Sequence, residues 1–164
     1  MRLRIVVADQ SEARFYDLEH AEAPLQLAGH LSDPKARLHD RDFKSDRPGR
    51  VFDRAAEAGR RRGASAHHST APERSPRKRE AQLFARQIAE HLEHARREGQ
   101  FDRVVLIAGP SFLGALRAAL PASALSVVLA TVAKDLVHGP EQAVREHIPA
   151  EALEALAAHP PGER

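Results

Sequence analysis

Cysteine is absent from this sequence of 164 residues, and its absence removes several kinds of chemistry. A disulfide framework, a cysteine zinc site and a thiol nucleophile all require that residue. Tryptophan is also absent, and aromatic residues make up only 4% of the chain. We therefore expect a core built mainly from leucine, valine, isoleucine and alanine.

Long apolar runs are missing as well. The longest, VVLIAG and SVVLATVA, fall far short of the ~20 residues that span a bilayer. The N-terminal stretch MRLRIVVAD lacks the apolar region of roughly 7–15 residues that a secretory signal needs. We expect a soluble, cytoplasmic protein with no membrane partner.

Positive charge is concentrated in one segment. Residues 35–79 contain 14 Lys and Arg but only 6 Asp and Glu, whereas the rest of the chain has 11 basic and 17 acidic residues. Glycine and proline recur throughout this segment, as is typical of loops. The length fits one domain of about 100–200 residues. The sequence thus predicts a single domain, 1–164, with a basic loop insertion at about 35–76 and a polyanionic partner.

The predicted elements are three strands, the basic loop, and then alternating helices and strands. Strands are expected at 3–8, 14–18, 25–31, 104–108 and 126–132, and helices at 77–98, 110–120, 140–148 and 151–158. Three strands with short connections are antiparallel neighbours, and apolar strands joined through helices are typical of buried parallel pairs. The pattern predicts an α/β fold with a ribonuclease H-like mixed sheet of about five strands, three antiparallel and then two parallel, with helices packed on it.

Carboxylates at strand ends raise the hypothesis of a metal-dependent hydrolase. Asp9 follows the first strand, and Lys134 and Asp135 follow the last, so these three residues are a candidate cleft. Two-metal hydrolysis needs several converging carboxylates, yet strand 104–108 is followed by Gly-Pro-Ser. The alternative is that Asp9 caps a turn and Asp135 caps a helix.

Other catalytic patterns are missing. The sequence contains no G-x-S-x-G elbow and no glycine-rich phosphate loop. His91 and His94 have the spacing of a metal pair, but the apolar stripe of their helix favours an exposed position for both. We predict no catalytic residue, no metal site and no cofactor. The sequence leaves open whether the protein is an enzyme, and it favours a protein without catalytic activity.

The basic segment is the strongest functional signal. The arginine fork suits phosphate, and such contacts give salt-sensitive affinity that depends little on nucleic-acid sequence. Cations at the start of helix 77–98 oppose the helix dipole, and a nearby phosphate would reverse that effect. The predicted nucleic-acid-binding residues are Arg47, Arg50, Arg60, Arg61, Arg62, Arg77, Lys78 and Arg79. The alternative is a solvated loop in which Asp40, Asp42, Asp46 and Asp53 pair with the cations.

Four strings also carry a resemblance to a known family. RLHDRDFKSDRPGRVFD, FARQIAEHL, FDRVVLIAGPSFLGALRAAL and VAKDLVHGP resemble, in this order, bacterial host attachment proteins, described as required for attachment to host cells. The resemblance covers nearly the whole chain. That family in turn looks like the central, ribonuclease H-like domain of archaeo-eukaryotic release factors and Pelota.

The resemblance implies a ribosome, tRNA or rRNA partner and a role in termination, ribosome rescue or ribosome protection. In release factors a GGQ loop precedes a long helix, and here AGRRRGASAHHS takes the corresponding place without GGQ and without any glutamine. Binding without ester hydrolysis is therefore what the resemblance implies. An attachment or protein-interaction factor, whose basic loop docks an acidic protein or polysaccharide, stays open as the alternative. The sequence does not indicate an oligomeric state.

Overall fold

The computed structural model describes residues 1–35, 76–160 and 162, so the predicted basic loop lies outside the described residues except at its two ends. The strands are β1 Leu3–Ala8, β2 Glu12–Leu18, β3 Gln26–Ser32, β4 Arg103–Ala108 and β5 Val128–Ala133. The helices described below are α1 Pro76–Arg97, α2 Pro110–Ala119, α3 Ala122–Leu125, α4 Glu141–Glu146 and α5 Ala150–Ala158.

The five strands form one sheet in the order β3-β2-β1-β4-β5. Strands β1, β2 and β3 pair antiparallel, whereas β4 lies parallel to both β1 and β5. This arrangement confirms the predicted α/β fold and its mixed, ribonuclease H-like sheet. Strand β1 is central, and all six of its residues are buried, as its apolar sequence LRIVVA predicts.

Helices cover both faces of the sheet because alternate residues of a strand point to opposite sides. On one face, α1 and α2 pack against Val6 and Ala8, with the rings of Phe84 and Phe112 6.2 Å apart. On the other face, α4 and α5 pack against Ile5 and its neighbours. The described chain therefore has two apolar layers, with the sheet between them.

His91 of α1 is not the surface residue that the apolar stripe suggested. Its ring is partly buried and lies 4.5 Å from the ring of Phe15 in β2, centroid to centroid. Burial lowers the pKa of His91, and Arg4 and His94 lower it further. His94, by contrast, is exposed as predicted. The prediction failed for His91 because its helical position also faces β2 and β3, where Gly29 leaves room for the ring.

The strand predicted at 126–132 is present as β5, but the prediction that it is buried was wrong. The strand spans Val128–Ala133 and is only partly buried, because it forms an edge of the sheet with a single strand neighbour, β4. The short helix α3 immediately before it was not predicted. It ends at Leu125, and Ser126 and Val127 form a turn between this helix and β5, so the strand begins two residues later than predicted.

Parallel pairing brings the ends of three strands together. Ala8 of β1 lies opposite Ala108 of β4, which lies opposite Ala133 of β5. Helices α1 and α2 precede and follow β4, so both begin on this same side of the molecule. We call this side the carboxyl edge.

Replacing two glycines by alanine should change the free energy of unfolding in opposite directions. Gly114 lies inside α2, and a Cβ placed there would meet no atom within 4 Å, so Gly114→Ala should stabilise the protein by about 0.5–1 kcal/mol. Gly99 has a φ of 66°, so Gly99→Ala should destabilise it by about 1–2 kcal/mol. Urea unfolding of both variants measures these changes. Equal effects of the two substitutions would contradict the described backbone.

Candidate functional site

A buried carboxylate organises the turn after β1. Asp9 is only 7% exposed, and its Oδ1 accepts hydrogen bonds from the Ser11 and Glu12 backbone N–H groups at 2.8 Å and from Ser11 Oγ at 3.0 Å. These bonds match the turn-capping interpretation of Asp9. They orient the chain so that β2 begins with Glu12.

Glu12 is a second buried carboxylate beside Asp9. Its Oε1 lies 3.0 Å from Arg14 Nε and 3.0 Å from His30 Nε2. His138, from the segment between β5 and α4, completes the group, with Nε2 2.9 Å from Asp9 Oδ2 and Nδ1 3.5 Å from Glu12 Oε2. We call Asp9, Glu12, His30 and His138 the acid–histidine cluster.

The cluster stabilises the ionised form of Glu12. Burial raises the pKa of Glu12, but hydrogen bonds to His30 and Arg14 outweigh it, so the pKa lies below its ordinary value. The oxygens of Asp9 are already bonded to the turn and to His138. Among residues 1–35 and 76–160, no group of three or more acidic or histidine side chains has an arrangement that could hold a metal ion. The hydrogen bonds of the cluster join three chain segments.

The other members of the predicted cleft lie at the same edge. Lys134 and Asp135 are exposed and directly follow β5. A Cβ placed on Gly109 would lie 3.9 Å from the Cβ of Asp135, so Asp135 is close to the end of β4. The structure therefore brings Asp9, Lys134 and Asp135 to the carboxyl edge of the sheet. The chemical partner of Asp9 is His138, however, and not either of these two residues.

A groove opens next to this cluster, between α1 and α2. Its volume is about 690 Å³. Gln10 and Ser11 border it from the turn after β1, Arg77 and Lys78 from α1, and Ser111 from α2. We call it the α1–α2 groove.

The predicted nucleic-acid-binding residues divide into two groups. Arg77, Lys78 and Arg79 are exposed in the first turn of α1, which contains no acidic residue. The others lie outside the described residues: Arg47, Arg50, Arg60, Arg61 and Arg62. The structure thus describes three of the eight predicted cations, and two of these three, Arg77 and Lys78, line the α1–α2 groove.

These features define a mixed α/β protein whose polar residues collect at the carboxyl edge. The family model for "Protein required for attachment to host cells" matches residues 4–148, so the chain belongs to this family. A search of curated proteins found no match. In the part of the chain that the structure describes, no helix is long and apolar enough to cross a membrane.

Solved structures of archaeal proteins also match. One is titled "Archaeal protein", with 13% identity and a TM-score of 0.46, and another is the archaeal translation termination factor aRF1, with 14% identity and a TM-score of 0.45. Each match covers 96% of this chain and 38% of the other chain. The chain thus spans well under half the length of these two proteins.

Three members of the acid–histidine cluster were not predicted from the sequence. Glu12 lies between the predicted strands 3–8 and 14–18, and neither it nor His30 nor His138 was among the predicted site residues. His138 is 129 positions from Asp9, so no local pattern could join them. The string VAKDLVHGP, which carries part of the family resemblance, does contain His138.

Removing the Glu12 carboxylate from the acid–histidine cluster should change the stability of the protein by an amount that depends on pH. Glu12→Gln should lower the free energy of unfolding by about 1–3 kcal/mol at pH 7, because a buried charged acceptor with several partners is lost. Since the pKa of Glu12 is lowered in the folded state, its contribution is present above the ordinary value of 4.5 and is lost as pH falls below it. Urea unfolding at pH 7 and at decreasing pH measures the difference.

Glu90→Gln is the matched control, since Glu90 is an exposed acid on α1. It should change stability little at any of these pH values. A difference between wild type and Glu12→Gln that stays constant below pH 4.5 would contradict the role given to the ionised Glu12.

Proposed function

We propose that this protein is a cytoplasmic, non-enzymatic RNA-binding protein that acts on the ribosome, in termination, rescue of stalled ribosomes or ribosome protection. The observation that carries this proposal is the first turn of α1. It presents Arg77, Lys78 and Arg79 to solvent and has no acidic residue. Phosphate groups of RNA are the proposed ligands of this turn.

The two ends of α1 differ in a way that supports phosphate binding. At its C-terminal end, the cations Arg96 and Arg97 are favoured by the helix dipole. At its N-terminal end, cations oppose the dipole by a few tenths of a kcal/mol each. A sequence selected for helix stability alone would place acids in that turn. A bound phosphate would instead be stabilised by both the dipole and the side chains.

The charge of the neighbouring sequence supports a larger contact. Residues 35–79 carry a large excess of basic residues and lead directly into α1. We propose that Arg47, Arg50 and the run Arg60 to Arg62 bind the same RNA backbone. Lys134, exposed at the carboxyl edge beside Asp135, would border that surface.

The family description favours a second candidate function. A protein required for attachment to host cells could use the basic segment to dock an acidic protein or polysaccharide. Binding of the purified protein to host cells, together with no measurable affinity for RNA, would favour this function. RNA affinity without cell binding would favour the first.

The triple variant Arg77→Gln, Lys78→Gln, Arg79→Gln tests the RNA proposal. We expect weaker binding to ribosomal RNA, with the slope of log K against log salt reduced by about two to three units, because about one unit is lost per phosphate contact. Filter binding across a salt series measures both quantities. Thermal unfolding should show no loss of stability, since these three side chains are exposed.

Arg86→Gln, Arg97→Gln, Arg117→Gln is the matched control. It removes the same charge from exposed positions further along α1 and α2. It should preserve most of the affinity and the salt slope. Equal losses in the two triple variants would mean that net charge alone governs binding, and the role of the first turn would then be wrong.

A further inference from the structure

We propose that the α1–α2 groove binds one unpaired nucleotide of single-stranded RNA. This inference rests on the proposed function and makes it more specific, since it names single strands as the preferred RNA. The groove volume of about 690 Å³ falls within the ~300–1,000 Å³ of typical ligand sites. A channel between two packed helices can admit a single base, whereas a double helix is far too wide to enter it.

The lining of the groove has the two-part chemistry of a nucleotide. Arg77 and Lys78 lie at the first turn of α1, where they can bind a phosphate. Phe112, Ala115 and Ala118 of α2 supply an apolar surface for a base. Phosphate and base are joined within one nucleotide, so one ligand can contact both the basic first turn of α1 and the apolar surface of α2.

Polar side chains beside the apolar surface favour a base over a simple anion. Gln10, Glu80 and Gln82 also line the groove. Amides and a carboxylate can bond to the edges of an unstacked base, which is how proteins usually read single-stranded RNA. The combined lining therefore matches a nucleotide better than an inorganic anion.

Gly114 supports a role that requires an open groove. It lines the groove in the interior of α2, and a Cβ there would meet no atom within 4 Å. A glycine at such a position weakens a helix relative to alanine, and packing gives no reason for it here. Its absence of a side chain does keep the groove wide next to Ala115 and Ala118.

Ala118→Leu tests the inference without changing charge. Ala118 is exposed and lines the groove, so leucine would occupy space that the base needs. Fluorescence anisotropy should show affinity for a labelled 12-nucleotide single strand reduced at least about fivefold, as expected when base contacts are lost. Affinity for a duplex RNA of the same length, bound through phosphates alone, should stay within about twofold of wild type.

Ala157→Leu is the matched control. Ala157 is an exposed alanine of α5, on the opposite face of the sheet, and its replacement should leave both affinities unchanged. Gly114→Leu is a second groove-filling variant and should reproduce the loss. Thermal unfolding of all three variants confirms that each is folded.

The outcomes separate this inference from the function on which it rests. If single-strand affinity survives both groove-filling variants, the groove assignment is wrong although RNA binding stands. If the wild type binds neither RNA, the proposed function fails and the inference with it. A free mononucleotide that competes as strongly as the single strand would overturn the RNA assignment in favour of a small-molecule nucleotide site.

Discussion

Parallel pairing of β1 with β4 is the constraint on which the rest of the structure depends. Because Ala8, Ala108 and Ala133 lie in register, the residues that follow three strands emerge at one edge. A strand cannot join a parallel arrangement through a tight turn, so a long connection must lead into β4, and α1 forms part of that connection. The first turn of α1, the acid–histidine cluster and the α1–α2 groove are neighbours for this one topological reason.

Buried charge fixes the carboxyl edge once the strands have placed it. Asp9 and Glu12 are nearly inaccessible, and a buried carboxylate is tolerated only when its oxygens are bonded. Asp9 caps the turn that begins β2, and His138 brings the segment after β5 against both acids. Breaking a contact of this kind is costly because the partner charge stays buried. The cluster thus holds the border of the groove in place.

Local patterns were sufficient to predict most of the fold. β1 reads as a continuous apolar run, and α1 has its apolar residues at helical spacing, so both were predicted to within about one residue. β5 has the same apolar character, but its burial depends on how many strand neighbours it has, which composition does not specify. His91 and His138 show the same limit. Their surroundings are formed by residues far away in sequence. Only the assembled sheet shows that His91 contacts Phe15 and that His138 contacts both Asp9 and Glu12.

We propose that the basic segment and the start of α1 bring this protein to the ribosome. Co-sedimentation with ribosomes across a salt series tests it most directly, with wild type beside the Arg60→Ala, Arg61→Ala, Arg62→Ala variant. We predict that wild type sediments with ribosomes at low salt, dissociates as salt rises, and loses this association in the variant. Absence of wild-type protein from the ribosome fraction at low salt would contradict the claim and favour the attachment function.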